Sequence, residues 1–234
     1  MKKVLIIAYS FPPSTSIGAQ RPFGLAKHLP EYGWDPIVLT ARLSGESPEG
    51  IRMIKTDYKD VTDNIKAKVG LSTEKSLHDQ MGIKVSKNYD HSAWRSKIIK
   101  LFKDIYLFPD DKRGWYKYAY NAASSLLDSE SIDAIISTSP PVTSHLIAKK
   151  LKQKYDTKWI ADFRDPWTKK YIYDKNNLIK FIDRRLEIYT ISYADALVSV
   201  TKPYVDKISP LHKSKKIFCI SNGFNDDVFQ KSLP

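Results

Sequence analysis

Short, mostly apolar runs recur along the chain, and most are followed by a stretch with helical spacing. The runs cover residues 4–9, 36–40, 51–55, 134–137, 158–163, 196–200 and 217–220. Strands buried on one face alternate apolar and polar residues. Runs without that alternation suit parallel strands covered on both faces. Helical patterns follow at residues 20–32, with Phe23, Leu25, Ala26 and Leu29 and a Gly33 stop, at 143–155, and at 178–193. Strand then helix, repeated, predicts a doubly wound, mostly parallel, Rossmann-like α/β domain. Pro22 is tolerated only in a first turn, which places the start of the first helix close to it.

A length of 234 residues corresponds to one large domain. The 42% hydrophobic and 27% charged composition excludes disorder and coiled coil. Cys219 is the only cysteine, so no intrachain disulfide and no cysteine metal site can form, and a reducing cytoplasm fits. Cys219 reads as a buried mid-strand residue. The apolar start runs straight into Phe11-Pro12-Pro13, which suits a strand and not a signal peptide. No run approaches a membrane span. Residues 57–90 read as a polar excursion. Residues 94–107 read as an amphipathic helix, with Trp94, Ile98, Leu101, Phe102 and Ile105 on one face.

Ligands of open α/β sheets bind beyond the carboxyl ends of the strands, and three segments belong there. Ser10–Gly18 joins the first strand to the first helix. Gly18 allows close approach of the backbone, and the helix N-terminus can hold an anion. The segment is not a dinucleotide fingerprint. Ser137-Thr138-Ser139-Pro140-Pro141 ends the fourth strand, with Ser144 and His145 behind it; His145 reads either as a phosphate or sugar ligand or as a surface histidine. Ala161-Asp162-Phe163-Arg164-Asp165-Pro166-Trp167 sets two carboxylates around an arginine. Charges at a strand end need partners, and these are groups that bind sugar hydroxyls and phosphates. Glu187 reads as an arginine partner without a catalytic role, and His28 as a surface residue.

Together with Gly18, Arg21, Leu25-Ala26-Lys27-His28-Leu29, Pro109-Asp110, Trp115 and Ile220-Ser221-Asn222-Gly223-Phe224-Asn225, these blocks resemble the N-terminal domain of a GT-B-fold glycosyltransferase of the family 4-like kind. The resemblance implies two Rossmann-like domains facing across a cleft. The N-terminal domain binds a glycan or lipid-linked acceptor, and the C-terminal one binds a nucleoside-diphosphate sugar. It implies transfer with retention at the anomeric carbon and no metal requirement. Residues 1–223 would form the acceptor-side domain and 224–234 the start of a linker to a donor domain that the chain lacks. Inactivity of this chain alone follows. Many relatives carry a histidine where this chain has Arg164, so the role of Arg164 stays open. The substrate-binding candidates are Gly18, Arg21, His145, Asp162, Arg164 and Asp165; none is assigned as a catalytic base.

The net charge of +12 calls for an anionic partner. An anionic membrane surface met by the 94–107 helix would suit a cytoplasmic enzyme of surface-polysaccharide or glycoconjugate synthesis peripheral to the inner face of a membrane. A solvated basic face is the simpler alternative. Scattered aromatics and the lack of a zinc-finger or RNA-binding pattern argue against nucleic acid. A stand-alone acceptor- or partner-binding module and half of a GT-B-like sugar-nucleotide epimerase are the competing functions.

Overall fold

The computed structural model describes residues 1–61, 101–102, 104–170 and 173–223. Among these, strands β1 (Lys2–Ile7), β2 (Trp34–Ala41), β3 (Arg52–Thr56), β4 (Ala134–Ser139), β5 (Lys158–Phe163), β6 (Ala196–Ser199) and β7 (Lys216–Cys219) form one sheet. Its order is β3-β2-β1-β4-β5-β6-β7, and every neighbouring pair is parallel. The connections include α1 (Ile17–His28), α2 (Tyr116–Ser129), α3 (Thr143–Tyr155), α4 (Asn177–Ile191) and α5 (Lys202–Ile208). This is the expected doubly wound Rossmann-like domain.

The lack of alternation in the runs of β1 and β2 is explained by two cores sharing one sheet. Leu5, Ile7, Ile37 and Leu39 point to one side and meet Ala119, Ala123 and Leu126 of α2 and Ile147 and Leu151 of α3. Ile6, Ala8 and Val38 point to the other and meet Ala26 of α1, with Phe11 and Phe23. Each such buried aliphatic side chain contributes about 1.5–3 kcal/mol.

Three local expectations are corrected. Helix α1 starts at Ile17 after an extended Ser16, which puts Pro22 inside it rather than in its first turn. Proline has no N–H, so the Gly18 carbonyl loses its i+4 donor. The four residues Leu29–Tyr32 form a separate 3-10 turn, and Gly33 ends it at φ 79°. Helix α2 escaped the pattern reading because its inner face is built from alanines, while Tyr116, Tyr118 and Tyr120 alternate as a strand would. Cys219 is exposed, not buried, because β7 is the edge strand and Phe218 and Ile220 beside it are also open. Most of the excursion read over 57–90 and of the helix read over 94–107 lies outside the described residues; residues 101–102 and 104–106 are helical.

Candidate functional site

The strand β1 has β2 on one side and β4 on the other, so chain order reverses there and the carboxyl ends of β1 and β4 open a crevice. A cleft of about 330 Å3 lies at this point, lined by Tyr9, Ser10, Lys112, Pro141, Trp167 and Lys175 among others. Burial, then the charges of Tyr58 and Asp111, push the Tyr9 phenol up from its ordinary value, so it stays protonated. Lys112 Nζ lies 5.5 Å from the Tyr9 ring centre and 3.0 Å from Asp111. Neither this cleft nor a larger pocket of about 490 Å3, lined by Lys59, Arg113, Tyr116 and Leu146 among others, is lined by any of the six expected substrate-binding residues.

Asp110 closes the floor. Its carboxylate accepts from the Thr143 N–H at 2.8 Å, the Thr143 hydroxyl at 2.9 Å and the Lys112 N–H at 2.8 Å. It therefore caps α3 from a distant segment, as an anion at a helix N-terminus. Burial nevertheless raises its pKa above the ordinary aspartate value.

Beside the cleft, α1 crosses the end of β5. Gly18 and Arg21 stand one turn apart on α1, and Asp162 and Arg164 two residues apart on β5 and its exit. Arg21 binds Asp162 in a fork, Nε to Oδ2 at 2.9 Å and Nη2 to Oδ1 at 2.9 Å. Their side chains are 8% and 2% exposed. Thr138 donates to the same carboxylate at 3.0 Å, across the β4–β5 register. Arg21 Nη1 reaches on to the Ser221 carbonyl at 3.2 Å and Asn222 Oδ1 at 3.1 Å. These two sequence-expected ligands thus hold each other.

Gly18 and Arg164 also meet: a Cβ at Gly18 would collide with the Arg164 guanidinium. Asp165 Oδ2 is 3.8 Å from Arg164 Nε, and its side chain is half exposed. Helix α1 has no side-chain cap and no acidic residue in its first turn. Its N-terminal dipole and Arg164 therefore form one cationic pole, whose only carboxylate among the contacts described is the half-exposed Asp165 at 3.8 Å, and such a pole suits a phosphate.

His145 is elsewhere, fully buried rather than at the surface. Its Nδ1 bonds Ser137 Oγ at 2.7 Å, its Nε2 has no protein partner, and its ring packs 4.8 Å from that of Phe163. Burial, then His212, pushes its pKa down to about 3. His28 is exposed beside Glu31, as expected.

The loop that carries Arg164 and Asp165 is anchored by α4. Trp167 Nε1 donates to Asp183 Oδ1 at 2.8 Å, and Lys175 Nζ binds Asp183 Oδ2 at 2.7 Å, with the Tyr173 hydroxyl on the same oxygen. Glu187 takes no arginine; it accepts the Thr168 N–H at 3.1 Å and the Thr168 hydroxyl, and His212 Nε2 lies 3.3 Å away. Sequence reasoning missed the anchoring role of Asp183 and the cap by Asp110. The helical spacing of Asp183 and Glu187, one turn apart among apolar residues, was the available signal for the first. Among the described residues no group of three or more His, Cys, Asp or Glu could hold a metal ion.

A cationic pole beside a switch-point cleft is shared by many α/β proteins, and sequence comparison decides among them. The profile of Glycosyltransferase Family 4 matches residues 23–228. The chain belongs to that family. This family 4 domain has no sequence match among curated proteins. Among solved structures it is similar to sucrose-phosphate synthase from Thermosynechococcus elongatus, at TM-score 0.58 and 14% identity over 100% of this chain and 53% of that one. A second structure of that synthase matches at TM-score 0.50 and 10% identity, over 97% and 93% of the two chains. The catalytic domain of starch synthase IV from Arabidopsis thaliana, bound to ADP and acarbose, gives TM-score 0.49 and 15% identity over 97% and 52%. At 14% identity the likeness to the first synthase chain shows the fold alone, one half of the GT-B architecture. The family 4 domain spans about half the length of the first synthase chain.

Proposed function

We propose that this domain is the acceptor-side half of a glycosyltransferase that moves a sugar, of the hexosyl or a related type, from a nucleoside-diphosphate donor to a glycan or lipid-linked acceptor. Surface-polysaccharide or glycoconjugate synthesis is the process such an acceptor implies. The observation that carries the reading is the meeting of Gly18 and Arg164 at the uncapped N-terminus of α1, in a chain of a glycosyltransferase family. A glycine there lets the Arg164 guanidinium lie against the helix N-terminus, and a guanidinium so placed holds diphosphate oxygens in a fork.

In this reading the expected ligands divide by role. Arg164 binds donor phosphate or sugar oxygens. Asp165, half exposed beside it, accepts hydrogen bonds from hydroxyls. Arg21 and Asp162 already satisfy each other and act as positioning residues that fix α1 over β5. His145, neutral and buried, supports the end of β4. The cleft beside Tyr9 and Trp167 receives the acceptor, and a second domain supplies the donor wall. One wall cannot align two substrates, and alignment supplies much of the rate, so the domain alone is inactive. Metal ions take no part in this scheme.

The test is a turnover assay with UDP-, GDP- and dTDP-sugars, using this chain alone and joined to a donor-binding domain, with and without EDTA. Transfer is expected only from the joined form and unchanged by EDTA. Arg164→Ala should lower kcat/KM by about 100-fold, as loss of one preorganised donor does. Wild-type kcat/KM in that variant would remove Arg164 from the site. Transfer by the domain alone would overturn its dependence on a second wall.

A further inference from the structure

Helices α3 and α4 present a surface that the proposed transfer chemistry leaves unused. The two carboxylates of α4, Asp183 and Glu187, are turned inward and fully buried, and α3 contains no carboxylate. Outward, α4 carries Leu178, Phe181, Ile182, Ile188 and Tyr189, exposed by 61%, 56%, 42%, 40% and 51%. Their spacing of three and four, continued through Arg185, makes one ridge along the helix. Cations flank it: Arg184 and Arg185 on α4, Lys149 and Lys150 on α3. The Arg185 guanidinium lies 4.9 Å from the Phe181 ring centre, and Lys149 Nζ 4.5 Å from that of Tyr189. The Asn176 N–H bonds Asp104 Oδ2 at 2.9 Å, which brings Phe102 and Ile105, 68% and 50% exposed, beside the start of α4.

We propose that this ridge is the docking surface for an anionic bilayer. Contiguous exposed apolar patches mark interaction sites, and a patch rimmed by cations, on two helices that expose no carboxylate of their own, matches one kind of partner best. The apolar side chains enter the boundary between head groups and acyl chains while the cations meet lipid phosphates. Two-fold pairing with a second copy would set the same cations against each other. A nucleic-acid backbone would meet the cations and leave Leu178, Ile182 and Ile188 without a role.

Helix α4 returns from the carboxyl end of β5 to the start of β6, so Leu178 and Phe181 lie at the end of the sheet that holds the cleft. A bilayer on the ridge lies alongside that cleft, where a lipid-linked acceptor could reach it. This last step rests on the proposed transferase reading. Docking itself is measured without any sugar donor, so its outcome is independent of the turnover assay.

The experiment is co-sedimentation of the chain with vesicles of phosphatidylcholine alone and of phosphatidylcholine with about one-third phosphatidylglycerol. Binding is expected only to the second kind and should weaken in about 0.5 M salt. Two variants at exposed positions, Leu178→Ser/Phe181→Ser/Ile182→Ser and Arg184→Glu/Arg185→Glu, should each bind at least ~10-fold more weakly with unchanged circular dichroism. Equal binding to both vesicles, or wild-type binding by either variant, overturns the proposal. So does the absence of lipid binding, with the ridge then assigned to a second copy if the serine variant loses a dimer, or to nucleic acid if the glutamate variant loses a duplex-DNA shift.

Discussion

Arg21 commits its guanidinium to Asp162 and to the Ser221–Asn222 backbone and side chain, while Arg164, two residues past Asp162, stays beside Gly18. Chain position thus separates two arginines that look equally suited to an anion: one is neutralised by a buried carboxylate and the other is not. His145 shows the same dependence on surroundings. With its pKa near 3 in the folded chain and about 6.5 in the unfolded one, it stays neutral in the fold while the unfolded form takes up a proton below pH 6.5. Its contribution to stability is therefore complete above that value and is lost as pH falls toward 3, by at most about 1.4 kcal/mol per pH unit. Urea denaturation from pH 7 to pH 4 should show the wild type losing stability faster than His145→Gln by about this slope; parallel curves would contradict it. Asp162, Arg164 and Asp165 were legible as charges that must find partners, because charges at a strand end cannot stay unpaired. Which of them pairs with α1 was not legible, because Arg21 and Asp162 are far apart in sequence.

At the scale of elements, α4 anchors the site from below. Asp183 holds Trp167, Tyr173 and Lys175, and Glu187 holds Thr168 and His212, so both ends of the 164–175 loop are tied to one helix. Asp183→Ala leaves the Lys175 ammonium and the Trp167 N–H without that carboxylate, and breaking a buried pair of this kind costs about 3–5 kcal/mol. The expected result is a matching drop in urea stability and faster tryptic cleavage at the exposed Lys169 and Lys170; wild-type cleavage would show that the loop is held by other contacts. The strands were legible within a few residues because covered parallel strands are mostly apolar and lack a period-2 alternation. Helix α2 was not, because small residues on its buried face carry little hydrophobic signal. The start of α1 was misplaced because propensity forbids a mid-helix proline that tertiary packing tolerates, with Pro22 itself buried.

For the whole molecule, one sheet serves two cores, and neighbouring residues of β1 enter opposite ones: Leu5 and Ile7 the larger, Ile6 and Ala8 the smaller. Neither core can loosen without withdrawing support from the central strands. Unfolding in urea should therefore be a single transition, coincident by tryptophan fluorescence, which reports Trp115, Trp159 and Trp167 in the larger core, and by far-UV circular dichroism. An earlier transition in fluorescence would show that the larger core melts separately. No helix among the described residues is long and apolar enough to cross a membrane.

The sequence by itself determined the fold class, the strand positions and the end of the sheet where chemistry belongs, because hydrophobic periodicity and turn residues are local quantities. Its ordered motifs also carried the family. Tertiary structure alone decided that Arg21 and Asp162 neutralise each other, that His145 is sealed from solvent, that Asp110 caps α3, and that α4 turns its acids inward and its apolar ridge outward. Each of these depends on which distant segments meet, and a carboxylate's charge state, partner and exposure follow from that meeting rather than from its neighbours along the chain.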